Sequence, residues 1–152
     1  MRRCLGGLIA CAWLIAVAAC GGSKPHADAA AAPAAPDWAR AERIAVSMTE
    51  YSFTPSNLKL RMGQPYKIVL RNNGGHDHAF AARGFFRTIT AGPLVDRDGN
   101  TKNPRKVSEL ELEKGRSVTF HFIPTVAGEY EVYCPNDGDE ARGMTGRIVV
   151  EE

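Results

Sequence analysis

The chain has 152 residues, enough for one domain of ordinary size once a short N-terminal segment is set aside. Its 19 basic residues exceed the 17 acidic ones by the two arginines, Arg2 and Arg3, that lie in that segment. The remainder is neutral and offers no support for nucleic-acid binding, which draws on a basic patch or stripe.

Residues 1–19 read as a targeting segment, with Arg2 and Arg3 as the charged start, an apolar run over 8–17 and small residues before Cys20. The apolar run is too short to span a bilayer comfortably as a permanent helix. Val17-Ala18-Ala19-Cys20 resembles the lipobox of bacterial lipoproteins. That resemblance implies lipidation of Cys20, which becomes the first residue of the mature chain and anchors it in the cell envelope facing the periplasm. Gly21, where an aspartate would signal retention at the inner membrane, favours the outer membrane by the same analogy. Cys4 and Cys11 leave with the signal and Cys20 takes lipid, so Cys134 is the one thiol of the folded part and no intramolecular disulfide can form. In an oxidising compartment such a thiol must be buried or occupied. Residues 21–43 are rich in Ala and Pro and read as a linker holding the domain, expected over 44–152, away from the membrane. His26 is a solvated linker residue on this reading.

From Ile44 onward, short alternating or β-branched segments separated by Gly, Pro and Asn predict strands over 44–49, 57–61, 66–72, 77–81, 107–112, 117–123, 128–134 and 145–150. Eight short strands in about a hundred residues point to an all-β fold, a Greek-key β-sandwich with one short helix. Alternation puts Val118, Phe120 and Phe122 on one face and Thr119, His121 and Ile123 on the other, which leaves His121 outward and outside any ligand set. The same parity turns Tyr130, Val132 and Cys134 inward and Glu129, Glu131 and Tyr133 to water. Over 83–90, Phe85, Phe86 and Ile89 could line the buried side of the short helix. The polar stretch 96–106, with Asp98-Gly99-Asn100, reads as a surface loop.

Near the C-terminus the chain runs Tyr133-Cys134-Pro135-Asn136-Asp137-Gly138-Asp139-Glu140-Ala141-Arg142-Gly143-Met144-Thr145-Gly146 before its last strand. This resembles the copper-ligand loop of the cupredoxins, the plastocyanin and azurin superfamily. Upstream, Asn72-Asn73-Gly74-Gly75-His76-Asp77-His78-Ala79-Phe80 resembles the segment that supplies the family's first imidazole, and the spacing to Phe85-Phe86 favours His78 over His76. The resemblance spans essentially the whole mature domain. It implies a copper ion held by His78 and Cys134 with Met144 as a weak thioether; thiolate and imidazole suit copper, and the thioether tunes its potential. The sequence departs from the family where the loop's second histidine would stand, at Asp139. Three readings follow: His76 supplies the second imidazole from a shared strand face, Asp139 itself coordinates as in red copper cupredoxins, or no metal binds. Without a metal, Cys134 is a small buried hydrophobe, Met144 a gap-filler and His78 a loop cap.

The implied function is electron transfer through one copper ion, with a redox partner protein and, through the lipid on Cys20, the membrane as partners. The alternatives are a copper carrier or sensor, and a metal-free interaction module of the envelope. No Ser/His/Asp grouping, phosphate-binding loop or paired carboxylates suggest an enzyme.

Overall fold

Alternating apolar residues drive the strands of this chain into two facing sheets in the computed structural model, which describes residues 35–152. The predicted signal segment, Cys20 and the linker as far as Ala34 lie outside the described residues. In chain order the strands are β1 (Glu42–Thr49), β2 (Ser52–Thr54), β3 (Asn57–Arg61), β4 (Tyr66–Asn72), β5 (His78–Ala81), β6 (Ile89–Asp96), β7 (Thr101–Lys102), β8 (Glu109–Leu112), β9 (Ser117–Pro124), β10 (Gly128–Tyr133) and β11 (Thr145–Glu151), with one helical turn, α1 (Arg83–Phe86), after β5. One sheet has the order β2-β1-β4-β9-β6-β7 and the other β3-β11-β10-β5-β8. The expected all-β sandwich with a short helix is the observed fold. β1 with β4 and β3 with β11 pair in parallel, while the remaining pairs are antiparallel. Among the described residues, no helix is long and apolar enough to cross a membrane.

Period-two burial makes the core. Along β9, Phe120 and Phe122 are buried while Thr119, His121 and Ile123 are only partly covered, as alternation predicts. Leu58 and Leu60 of β3, Ile68 and Leu70 of β4, and Ile148 and Val150 of β11 follow the same rule from their own strands. α1 drops Phe85 into the middle of this layer, where its ring meets Phe122 edge-on at 5.3 Å and Tyr130 at 5.6 Å. β5 is buried throughout, flanked by β10 and β8, so His78 and Phe80 face inward opposite Leu112 and Leu110.

Several elements differ from the sequence expectation. The helix predicted within 83–90 stops after one turn, and Ile89 opens β6 instead of lining it. β6 escaped prediction because Gly92 and Pro93 read as breakers; the strand accommodates them with a register shift between Ala91 and Leu94 against β9. β2 and β7 are only three and two residues long, below what alternation can reveal. The strand expected over 77–81 starts at His78 and that over 107–112 at Glu109. Ordered structure also begins before residue 44: Asp37 caps a short 3₁₀ turn, Trp38–Arg40, by accepting the Ala39 N–H at 3.1 Å. The Trp38 ring lies edge-on to His121 at 5.8 Å, and Glu42 and Arg43 pair with Tyr66 and Lys67.

Candidate metal centre

Two chain segments meet at one end of the sandwich. The first is the turn between β4 and β5, held by Asn72, whose fully buried amide donates to the His76 carbonyl at 2.8 Å and the Leu112 carbonyl at 2.9 Å. Its oxygen accepts the Gly74 N–H at 2.9 Å, which fixes the path of the chain into His78. The second is the loop between β10 and β11. There the Cys134 N–H donates to the Met144 carbonyl, and two 3₁₀ turns, Asn136–Gly138 and Glu140–Arg142, flank Asp139. Gly143 closes the second turn at φ 101°, a conformation that suits glycine. The Met144 N–H returns to the Asp139 carbonyl at 2.9 Å.

These segments bring three donors of different chemistry into contact. His78 Nδ1 lies 2.9 Å from Asp139 Oδ2, Cys134 Sγ lies 3.4 Å from the same oxygen, and Sγ to Nδ1 is 4.0 Å. All three residues are fully buried, as is Met144 at the loop's end. The Ala79 N–H donates to Cys134 Sγ at 3.3 Å, a contact that steadies negative charge on sulfur. Burial nonetheless pushes the free thiol above its usual range, the Ala79 N–H opposing and Asp139 adding to the rise. Without a metal the sulfur therefore keeps its proton at neutral pH and can donate it to Asp139.

The donor set fits a metal ion. Three ligands at bond lengths of about 2.0–2.3 Å around a planar centre stand roughly 3.5 Å apart, and the three separations bracket that value. Two buried polar atoms of the cluster, His78 Nε2 and Asp139 Oδ1, have no hydrogen-bond partner among the described residues. Arg142 Nη1 at 3.9 Å and His76 Nε2 at 3.8 Å from Asp139 Oδ1 are both beyond hydrogen-bonding range. A buried acceptor with no donor of its own is costly unless a partner joins it. Imidazole and thiolate with a thioether close by suit copper.

Each predicted residue has a definite place. His78, Cys134 and Asp139 converge, and the buried Met144 is joined to Cys134 and Asp139 by backbone hydrogen bonds. His76 does not share a strand face with His78, because it sits in the bend before β5. Its ring still approaches that of His78 to 4.5 Å between centroids, and it is 40% exposed, so it stands at the mouth of the site. His76 also lines an open polar cleft with Gly75, Asp77, Glu111, Lys114 and Asn136. His121 lies on the other sheet, bonded through Nδ1 to the Pro93 carbonyl at 3.0 Å.

Sequence reasoning missed the rim. Glu50 and Tyr51, in the β1–β2 turn, face the site; Glu50 accepts the Gly75 N–H, and Arg142 lies 5.1 Å over the Tyr51 ring. The positive φ of Tyr51, 62°, marks how sharply that turn bends. Only recognition of β2 would have placed these residues here.

No family model and no curated protein matches the sequence. Solved structures do match in fold. An auracyanin from Roseiflexus castenholzii, solved in its dithionite-reduced form, is 18% identical, with a TM-score of 0.52 over 74% of this chain and 98% of that one. Auracyanin B is 17% identical, also at 0.52, over 74% of this chain and 91% of its own. A multicopper oxidase reaches 0.59 at 11% identity over 72% of this chain, which spans 44% of the oxidase. The fold is thus a cupredoxin-like β-sandwich, a match that takes in nearly the whole of the auracyanins and less than half of the larger oxidase.

Proposed function

We propose that this chain is an envelope-anchored electron carrier that holds one copper ion between His78, Cys134 and Asp139, with Met144 as the weak fourth donor. The observation that carries the reading is the convergence of imidazole, thiol and carboxylate, all three residues fully buried. Copper, when bound, supplies a one-electron couple. The chain's own residues hold the ligands rigid: β5 fixes His78, the Ala79 N–H braces the sulfur, and the self-bonded loop sets Asp139. Rigidity suits electron transfer, since a site that need not rearrange between oxidation states reacts with little reorganisation. Asp139 takes the place of the second imidazole and gives the harder ligand set of a red rather than a blue copper centre. His76, at the mouth, is the exposed imidazole through which the site meets a redox partner. The lipobox-like Val17–Cys20 stretch supports a lipid anchor on Cys20, facing the periplasm and favouring the outer membrane, with 20–43 as the tether.

Loading the full chain with Cu(II) and removing excess metal should give an intense thiolate-to-copper visible band. Cys134→Ser should abolish that band and His121→Ala should leave it unchanged. A band that survives loss of Cys134 would sink the assignment. Bound metal without colour or an EPR signal would indicate a Cu(I) carrier, and no bound metal an interaction module built on the scaffold.

A further inference from the structure

His78 has a second ring nitrogen, and its surroundings are unlike those of the first. Nδ1 faces Cys134 and Asp139, whereas Nε2 is buried, unpartnered and directed at the β1–β2 turn. A Cβ on Gly74 would come within 2.7 Å of His78 Nε2 and 3.0 Å of Glu50 Oε1, so the missing side chain leaves a space between these two atoms. Glu50 Oε1 is 3.6 Å from His76 Nδ1. Glu50, His76 and His78 can each present one donor atom with all three within 4.8 Å of one another. The Gly75 N–H donates to Glu50 Oε1 and fixes that carboxylate beside His76. Glu50 and His76 are 41% and 40% exposed, which gives an ion a path from solvent.

We propose that Glu50, His76 and His78 form a second, outer metal site for a divalent ion of borderline softness such as zinc. Two imidazoles and one carboxylate are a common zinc donor set, and water completes the coordination. His78 then bridges the two sites through its two ring nitrogens. This goes beyond the copper reading and does not need it, because Cys134 and Asp139 take no part. The space beside Gly74 explains why the chain has glycine there, where the backbone angle itself makes no such demand.

Native mass spectrometry of the full chain, loaded with one copper ion and titrated with Zn(II), counts both ions. The wild type should hold one zinc beside its copper. Glu50→Gln should lower the zinc affinity at least about tenfold while the copper band stays. In a Cys134→Ser background zinc should still bind, and adding Glu50→Gln should remove it. A wild type that takes no zinc, or zinc uptake equal with and without Glu50, overturns the outer site and leaves Glu50 as a group that only orients His78. A chain that takes no copper yet binds zinc through Glu50 overturns the copper reading and upholds this one.

Discussion

Cys134 shows how one side chain couples metal uptake to proton release. Burial raises its folded-state pKa above the ordinary thiol range, so between the unfolded and folded values the unfolded chain has lost a proton that the native state retains. In the metal-free protein this contribution to stability is fully present below the ordinary thiol range and is lost as pH rises through it towards the folded value. Binding a metal through sulfur expels that same proton. The apparent Cu(I) affinity should therefore climb with pH across the neutral range, by about tenfold per unit for one proton released. Titration against a competing chelator at several pH values measures the slope, and an affinity indifferent to pH would mean that the sulfur does not bind. His78 and Cys134 were legible in the sequence through the resemblance of their two segments to those of a copper-ligand site, with Asp139 as one of two candidates to complete the set. The nearness of His76 was anticipated for a reason the backbone does not support: a bend, not a strand, brings it beside His78. Glu50 was illegible, since nothing local announces that a carboxylate 28 positions before His78 will turn back onto it.

At the scale of elements, the last strand connects the site to the sheet. Ile148 and Val150 of β11 bury their side chains, and the strand pairs β10 on one side and β3 on the other. Gly146 lies where β11 passes Ser56 most closely: a Cβ there would stand 2.4 Å from the Ser56 carbonyl oxygen, which accepts the Arg147 N–H at 2.8 Å. Backbone cannot yield as a side-chain tip can. Gly146→Ala should destabilise the fold by about 1–3 kcal/mol, seen as a thermal midpoint lowered by several degrees, and should perturb the copper band because Thr145 and Met144 precede the displaced strand. An unaltered midpoint would show that β11 and β3 can part at no cost. Strands with clean alternation, such as β9 and β11, could be read from sequence almost to the residue. β6 could not, because Gly92 gives room to Trp38 and Pro93 sits at a bulge, and both needs arise from tertiary contacts. A Cβ on Gly92 would approach the Trp38 ring to 2.5 Å.

For the molecule as a whole, the proposed anchor and the proposed site make separate demands. The described residues form a sandwich with its own core, and the proposed ligand sets draw on residues from Glu50 onward. Lipidation at Cys20 therefore has no structural reason to affect metal binding. Cys20→Ser should move the protein from the membrane fraction to the soluble periplasmic fraction and end palmitate labelling, while the purified protein keeps its spectrum. Continued membrane association would place the anchor elsewhere.

The hydrogen bonds that close the loop join members of the loop to one another. Cys134 is bonded to Met144, Glu140 to Cys134, and both Arg142 and Met144 to Asp139, all through backbone atoms between β10 and β11. Such a segment is a cassette: its sequence can change without shifting the register of the strands that carry it. Selection can then exchange one side chain of the loop for another, and the chemistry of this end of the molecule can diverge among descendants while the sandwich is inherited unchanged.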